Sequence, residues 1–345
     1  MERNARAAKD GHPPPPYLLF LGDVPLQPMA KTAAGLLQWR PELCVGKLTL
    51  PGCAVEMDIP EMTPKEAVGA GAKTLVIAVV NPGGTLPDAW IPALVEALEA
   101  GLNIASGAHV SLSVFPDLKD TAARLDRTLY DVRLPKMTFD VGDGVKRAGK
   151  RILTVGTDCV VGKKYTALAL EKALRERGVD AEFRATGQTG ILIARRGVAI
   201  DAVTSDFISG AAEWLSPANA PDHWDVIEGQ GSLYHPSFAG VTLGLIHGSQ
   251  PDALIVCHEP IRRQLLSLPY PIPPLKEFMK TNLDAARLTN PNAIIAGMSL
   301  NTSKMSAQSA EEAVVAMEQE TGLPCCDPIR HGAGKIADHL ISVLA

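Results

Sequence analysis

The sequence is poor in aromatic residues and has no long apolar run. Only 5% of its 345 residues are Phe, Trp or Tyr, and no apolar stretch approaches the roughly 18–20 residues that cross a bilayer. The apolar residues 17–21 near the N-terminus are too few for the core of a signal peptide. The net charge is −5 and no basic stripe stands out, so nucleic acid is not an expected partner.

Metal-binding and dinucleotide-binding patterns are missing as well. The six cysteines form no C-x-x-C pair and the chain has no HExxH, so no metal is expected. The cysteines lie mostly in apolar surroundings and are interpreted as buried thiols, which favours a reducing, cytoplasmic location. No G-x-G-x-x-G follows the first predicted strand, which makes NAD a weak candidate.

What the sequence does contain is an alternation of strand and helix patterns in two halves. Residues 74–80 (TLVIAVV), for example, are a continuous apolar run that is typical of a buried parallel strand. The alternation predicts an α/β protein with an N-terminal Rossmann-like domain over residues 17–135. A C-terminal P-loop NTPase-like domain with a mostly parallel sheet is predicted over residues 151–345. Residues 1–16 are predicted to be a disordered tail, and residues 136–150 a linker.

Glycine-rich turns follow several predicted strands of the first half, at Gly22, at residues 81–84 (NPGG) and at residues 106–109 (SGAH). Together they could form a crevice of the dinucleotide-binding kind. Because the dinucleotide fingerprint is missing, a role in closing over a substrate or in self-association is favoured. A homo-oligomer is therefore expected.

The segment RILTVGTDCVVGKKYT, residues 151–166, has the pattern of a phosphate-binding loop. A short apolar strand leads into a glycine-bounded turn, and a lysine then opens an amphipathic helix. Backbone N–H groups and the positive end of the helix dipole make such a turn an anion site. The residues predicted to bind phosphate are Gly156, Thr157, Asp158, Cys159, Gly162, Lys163, Lys164, Tyr165 and Thr166.

This loop departs from the usual pattern in two ways. It has five residues between Gly156 and Gly162 instead of four, and Lys164 stands where Ser or Thr normally binds Mg²⁺. Two lysines at a helix start can neutralise a diphosphate without a metal, so coenzyme A suits the loop as well as a nucleoside triphosphate does. The alternative for Lys164 is an exposed lysine at a helix start.

Candidate catalytic residues follow a predicted strand in the run DVIEGQGSLYHP, residues 225–236. Ligands of open α/β sheets bind beyond the carboxyl ends of strands, which would place Glu228 and His235 near the phosphate loop. Either could act as a general base on an amine or a water. The alternatives are a Glu228 that orders the glycine turn and a His235 that packs under a proline. Asp206 is interpreted either as an acid facing the loop or as a plain helix-start acid.

A second glycine–hydroxyl loop, RATGQTG at residues 184–190, has many backbone donors and could form an anion-binding nest. Arg184 could pair with a substrate carboxylate through two hydrogen bonds. The alternative is an ordinary loop between a strand and a helix. The residues expected to bind substrate are Arg184, Thr186, Gln188, Thr189, Gln230 and Ser232.

Several of these motifs resemble known families. GTDCVVGKK is similar to the loop GTDTEVGKT of dethiobiotin synthetase, and VIEGQGS is similar to VEGAGG of that family. RATGQTG, AIDAVTSDFISGAAEWL, EGQGSLYHPSFAGVTLGLIHGSQPDA and CHEP, in this order, resemble the DgcN-type family, which contains D-glutamate N-acetyltransferases. The resemblance implies acetyl-CoA as donor, D-glutamate as acceptor and an epimerase-like partner that acts on the N-acetyl product.

The leading hypothesis is therefore an N-acetyltransferase that moves an acetyl group from acetyl-CoA to the α-amine of an acidic amino acid. A covalent route through Cys159 is a minor variant, because helix N-termini can lower the pKa of a thiol. The first alternative is a Mg-ATP-dependent ligase or kinase similar to dethiobiotin synthetase. The second is a non-catalytic, nucleotide-responsive module that regulates a partner.

Overall fold

The structure, a computed structural model, describes residues 11–80, 84–135 and 137–344. The chain folds as two compact units. The first unit comprises the described part of Met1–Lys136 together with Gln188–Ala199. The second comprises Met137–Gly187 and the described part of Ile200–Ala345.

Each unit is built on a parallel sheet. The strands are β1 (Tyr17–Gly22), β2 (Cys44–Thr49), β3 (Thr74–Ile77), β4 (Asn103–Ser106), β5 (Leu129–Asp131), β6 (Lys150–Gly156), β7 (Ala181–Arg184), β8 (Trp224–Ile227), β9 (Ala253–His258), β10 (Ile294–Leu300) and β11 (Cys325–Cys326). The first sheet has the order β2-β1-β3-β4-β5 and the second β11-β10-β9-β6-β8-β7, with parallel pairing throughout. The two sheets confirm the predicted α/β class.

Helices connect the strands, as parallel pairing requires. They are α1 (Lys31–Trp39), α2 (Pro64–Gly69), α3 (Ile91–Glu99), α4 (Pro116–Arg124), α5 (Lys163–Glu176), α6 (Gln188–Ala194), α7 (Ile208–Leu215), α8 (Ala239–Ser249), α9 (Leu275–Arg287), α10 (Ala307–Thr321) and α11 (Gly334–Leu344). Among the helices that the structure describes, none is long and apolar enough to cross a membrane.

The central strands of both sheets are buried on both faces. All six residues of β1 are buried, and β6 is buried from Arg151 onward. Such strands read as continuous apolar runs, which is why the sequence pattern located them. Because β6 lies between β8 and β9, its carboxyl end at Gly156 opens beside the ends of both neighbours.

The segment Gln188–Ala199 lies inside the range predicted for the second domain, but it belongs to the first unit. Residues 188–190, which were interpreted as loop, begin α6. The helix is fixed there by hydrogen bonds: the hydroxyls of Thr189 and Thr32 lie 3.0 Å apart, and the Arg40 guanidinium donates to the Ile193 carbonyl. Its apolar face therefore packs against α1.

The predicted tail and linker are described only in part. Residues 1–10 and Lys136 lie outside the described residues. Within the tail, the Pro13 carbonyl accepts a hydrogen bond from the Tyr17 hydroxyl and the Pro14 carbonyl accepts one from Thr74. Within the linker, the Arg147 guanidinium binds the carbonyls of Ser216 and Gly248. Both segments are thus tied to the unit that they adjoin.

Candidate functional site

The phosphate loop connects β6 to α5 and depends on a glycine at each end. Gly162, the residue before α5, has φ +103°, a left-handed conformation that glycine adopts without steric cost. A Cβ atom on Gly156 would lie 2.8 Å from the Lys163 ammonium nitrogen. The two glycines therefore let the loop fold closely around the lysine.

Lys163 lies inside this loop. Its side chain is buried, and its Nζ donates a hydrogen bond to the Asp158 carbonyl at 2.8 Å. Burial is the main reason why the pKa of Lys163 is lowered. An ammonium group has three donors, so the same group can serve a bound anion at the start of α5, where the helix dipole also favours negative charge.

Lys164 lies at the start of the same helix and is half-buried. Its Nζ is 4.8 Å from the centre of the Tyr165 ring, within the range of a cation–π contact. Its positive charge is the strongest influence that lowers the pKa of Glu228. Lys164 therefore belongs to the electrostatic surroundings of Glu228 and is more than an exposed lysine at a helix start.

Glu228 follows β8 directly and is almost fully buried. One oxygen of its carboxylate accepts hydrogen bonds from the backbone N–H groups of Thr186 (2.9 Å) and Gly187 (3.1 Å). Burial nevertheless raises the pKa of Glu228 to about 7, against the opposing effects of Lys164 and these hydrogen bonds. A carboxylate with such a pKa can take up and release a proton near neutral pH.

Asp158 is fully buried and holds the loop to the segment after β9. Its carboxylate accepts hydrogen bonds from the Arg262 guanidinium (2.8 Å) and from the backbone N–H of Leu266 (2.6 Å). Arg262 also donates to the Cys159 carbonyl at 2.7 Å and pairs with Glu259. Arg262 was missed in the sequence, where only the preceding CHEP run was noted. Asp158 therefore fixes the loop and is not available to a ligand.

The hydroxyls predicted to bind phosphate or substrate are used within the protein. The Thr157 hydroxyl lies 2.9 Å from Nδ1 of His258, a ring whose pKa burial lowers to about 4. The Thr166 hydroxyl donates to the Gly162 carbonyl and contacts Ser299, and Ser232 donates to the Thr157 carbonyl. These side chains shape the loop, so its backbone N–H groups and lysine are the groups that could bind an anion here.

His235 is buried beside the loop, with both ring nitrogens occupied. Its Nε2 lies 3.2 Å from the Leu266 carbonyl, and its Nδ1 accepts a hydrogen bond from the Ser237 N–H. Both ring nitrogens thus have partners within the protein, which favours the alternative of a structurally packed His235 over its predicted role as a general base. The ring stacks on Phe238 and acts as a packed structural histidine.

Possible ligand atoms of Asp158, Cys159 and His235 lie within 4.8 Å of one another. The first and third of these groups make the hydrogen bonds described above. Burial is the main cause that raises the pKa of the Cys159 thiol, so this ligand is protonated at neutral pH. The net pKa of Cys159 is thus raised and not lowered, contrary to the premise of the covalent variant.

Arg184 and Asp206 also differ from their predicted roles. The Arg184 guanidinium is buried between the carboxylates of Asp225 (2.6 Å) and Glu182 (2.9 Å), so the protein's own acids neutralise it. Asp225 stands near the start of β8, which draws the arginine back from the carboxyl edge of the sheet. Asp206 is exposed in the short turn before α7, as expected of a plain helix-start acid.

The remaining predicted substrate residues divide between the two units. In the second unit, Thr186 is buried and donates to the Glu228 carbonyl at 2.6 Å, while the Gln230 amide donates to Thr186. Both support the Glu228 turn. Gln188 and Thr189 lie at the start of α6 in the first unit.

Comparison with known proteins gives consistent matches along the chain. A P-loop domain described as a domain of unknown function (DUF1611_C) matches residues 140–337, and a Rossmann-like domain described as DUF1611_N matches residues 48–135. A protein of Tritonibacter scottomollicae named D-glutamate N-acetyltransferase is 51% identical over 95% of this chain and 99% of its own length. A Pseudoalteromonas protein of the same name is 49% identical over 94% and 98%.

A crystal structure of a DUF1611 family protein from Anabaena variabilis has the same fold. It is 32% identical, with a TM-score of 0.85, and the match covers 94% of this chain and 99% of that one. The chain therefore belongs to the DUF1611 family, with a Rossmann-like and a P-loop domain.

Proposed function

We propose that the protein is a D-glutamate N-acetyltransferase that uses acetyl-CoA as donor. Two relatives that share about half of their residues with nearly the whole chain carry this enzyme name. The observation that carries the proposal is Glu228, a buried carboxylate with a pKa of about 7 under the influence of two loop lysines. Amine acetylation needs such a base, because an α-ammonium group has no lone pair to attack with.

The phosphate loop supports coenzyme A as the donor. Lys163, Lys164 and the backbone N–H groups at the start of α5 supply positive charge for a diphosphate. Lys164 replaces the hydroxyl that binds Mg²⁺ in ATP-hydrolysing loops. In an acyl transfer the diphosphate serves only for binding and is not the leaving group. The reaction therefore does not need the hydroxyl that binds Mg²⁺.

In the proposed reaction Glu228 removes a proton from the α-ammonium group of D-glutamate. The amine nitrogen attacks the acetyl carbonyl carbon, and the carbonyl oxygen carries negative charge until the C–S bond breaks. Backbone N–H groups stabilise this oxyanion. The positively charged nitrogen of the intermediate releases its second proton to solvent, which leaves a neutral amide. The coenzyme A thiolate departs and takes up the proton that Glu228 received, so the base is restored. No acyl-enzyme is needed, in keeping with the raised pKa of Cys159.

The proposal includes a partner enzyme, a cellular location and an oligomeric state. Acetyl transfer breaks no bond to Cα, so N-acetyl-D-glutamate keeps the D configuration. An epimerase-like enzyme is therefore the expected consumer of the product where the L form is needed. A cytoplasmic location and a homo-oligomer remain part of the proposal as the sequence suggests them.

The proposal is tested by measuring CoA release from acetyl-CoA with a panel of D- and L-amino acids. D-glutamate should give the highest kcat/KM, and EDTA should leave the rate unchanged. Lys163→Ala should weaken acetyl-CoA binding by about 10- to 100-fold, since it removes a charged hydrogen bond. Lys172→Ala, on the exposed face of the same helix, is the matched control. Turnover of Mg-ATP in place of acetyl-CoA would contradict the proposal.

A further inference from the structure

Described residues of three glycine motifs of the sequence line one cavity of the first unit. The cavity has a volume of about 380 Å³ and opens at the carboxyl ends of β3 and β4. Gly84 comes from the NPGG motif, residues 106–109 form the SGAH motif, and Gln188 comes from the TGQTG motif. The proposed acetyl transfer uses none of them.

The cavity depends on the small size of these glycines. A Cβ atom on Gly107 would lie 2.6 Å from the Gln188 side chain, and one on Gly84 would lie 2.7 Å from His109. Gly84 also has φ +69°, where residues with a side chain are strained. The motifs therefore bring polar side chains to the cavity wall at distances that other residues would not allow.

The charge of the lining favours an anion. Arg133 is about nine-tenths buried, and its Nε donates to the Gly107 carbonyl at 2.9 Å, which fixes the guanidinium at the wall. Among the described residues that line the cavity there is no Asp or Glu. Thr32, in the first turn of α1, also lines it, at the positive end of the helix dipole. Burial is the main cause that lowers the pKa of Lys31, and the nearby positive charge of Arg133 lowers it further.

One part of the wall is apolar, and the space is small. Ile77, Leu86, Trp90 and Leu192 are buried side chains of this wall. The volume is near the lower end of the range of ligand pockets, about 300–1,000 Å³. A compact metabolite of amino-acid size fits such a space, whereas a dinucleotide does not.

We infer that this cavity binds a small carboxylate, which the Arg133 guanidinium holds while the apolar wall receives its hydrocarbon part. The ligand class is a short mono- or dicarboxylate. It could be the acceptor of the transfer reaction or an unrelated carboxylate metabolite, and the experiment separates these sources. The inference concerns the first unit alone and holds whether or not the chain transfers acetyl groups.

The test is calorimetric titration of the full chain with D-glutamate, L-glutamate, glutarate and inorganic phosphate as probes. At least one carboxylate should bind, and Arg133→Gln should weaken it by about 10- to 100-fold through loss of a charged hydrogen bond. Arg124→Gln, an exposed arginine of the same unit, should leave binding unchanged. If Arg133→Gln does not fold, Leu192→Phe serves as the second variant, because it fills the cavity and keeps the charge.

The position of the ligand is read from fluorine NMR of protein labelled with 5-fluorotryptophan. The carboxylate should shift the resonance of Trp90, which lines the cavity, and leave those of Trp214 and Trp224 in the second unit in place. Three results would overturn the inference: no carboxylate binds, phosphate binds as well as the carboxylates, or binding survives both variants.

The identity of the ligand follows from the same titrations. Binding of D-glutamate in preference to L-glutamate and glutarate identifies the acceptor, and equal binding of all three identifies a general carboxylate site. If the wild-type chain releases no CoA yet loses carboxylate binding on Arg133→Gln, the proposed function fails and this inference stands. If the wild-type chain releases CoA and Arg133→Gln leaves carboxylate binding unchanged, the proposed function stands and this inference fails.

Discussion

Two buried carboxylates of the second unit, Asp158 and Glu228, differ in their surroundings. The difference suits Asp158 to holding the loop and Glu228 to proton transfer. Asp158 is paired with the Arg262 guanidinium and receives backbone N–H donors, so its charge is compensated within the protein. Glu228 has backbone N–H donors and only the longer-range charges of Lys163 and Lys164. At Glu228 burial prevails over these influences and raises the pKa to about 7.

Glu228→Gln should lower kcat by about 10²–10⁴-fold, the usual contribution of a general base. The amide keeps an oxygen for the N–H groups of Thr186 and Gly187, so acetyl-CoA affinity should remain near the wild-type value. In the wild-type enzyme, kcat/KM should rise with pH to a plateau above about 7, because only the ionised carboxylate accepts a proton. Glu320→Gln, an exposed acid on α10, is the control. An unchanged rate and pH profile in Glu228→Gln would exclude this role.

Cys159→Ser should keep a kcat close to that of the wild-type enzyme. Burial raises the pKa of this thiol, so little thiolate is present at neutral pH to accept an acetyl group. Mass spectrometry of the protein stopped during turnover should show no acetylated Cys159. Loss of all turnover with intact CoA binding would instead restore the covalent route.

The sequence identified Glu228 and Lys163 because each stands at the carboxyl end of a parallel strand or at the start of the next helix. It could not assign the correct roles to Arg184 and His235. Their partners, Asp225 and the Leu266 carbonyl, come from other segments that the fold brings close. Arg262 was missed for the same reason, since it lies 104 residues from Asp158.

At the scale of elements, the phosphate loop is held in shape by the segment that follows β9. Arg262 joins the Asp158 carboxylate, the carbonyl of Cys159 and Glu259, and Lys304 also pairs with Glu259 at 2.8 Å. Three groups of the loop region, on Asp158, Cys159 and Glu259, thus share one guanidinium. The loop's affinity for an anion should follow the integrity of this tether.

Arg262→Ala should raise the KM for acetyl-CoA and lower the free energy of unfolding by about 3 kcal/mol, because it leaves the buried Asp158 unpaired. Urea titration and initial rates measure the two effects. Arg263→Ala, at the exposed neighbouring position, should change neither. Equal behaviour of the two variants would show that the tether does not shape the loop.

Helices α8 and α9 were not predicted, and the reasons lie in their sequences. α8 (AGVTLGLIHGS) is apolar on all sides and contains glycines, so it lacks the one-sided pattern of a surface helix. α9 has such a pattern, but it follows the proline-rich residues 269–274, a composition that is typical of a loop. Strands such as β1 and β6 were predictable because a strand buried on both faces needs an unbroken apolar run.

At the scale of the whole molecule, two buried groups should give stability opposite dependences on pH. The pKa of Glu228 is raised from 4.5 to about 7, so the folded state holds an extra proton and stability falls as pH rises through this interval. The pKa of His258 is lowered from 6.5 to about 4, so the unfolded state holds the extra proton and stability rises with pH. Between pH 5 and 6 the two contributions oppose each other.

Removing either Glu228 or His258 should therefore reveal the pH dependence of stability that the remaining group causes. In urea titrations from pH 5 to 6, Glu228→Gln should shift the slope of unfolding free energy by up to about +1.4 kcal/mol per pH unit relative to wild type. His258→Gln should shift it by a similar amount in the negative direction. Shifts of the same sign in both variants would contradict the assigned pKa directions.

We propose that the P-loop unit serves acetyl transfer to an amine and not phosphate chemistry. The most direct measurement is NMR of the products after the purified chain is incubated with acetyl-CoA, D-glutamate and EDTA. We expect N-acetyl-D-glutamate and free CoA in equal amounts, with no nucleotide added. Absence of the N-acetyl product, or its formation only with Mg-ATP, would contradict it.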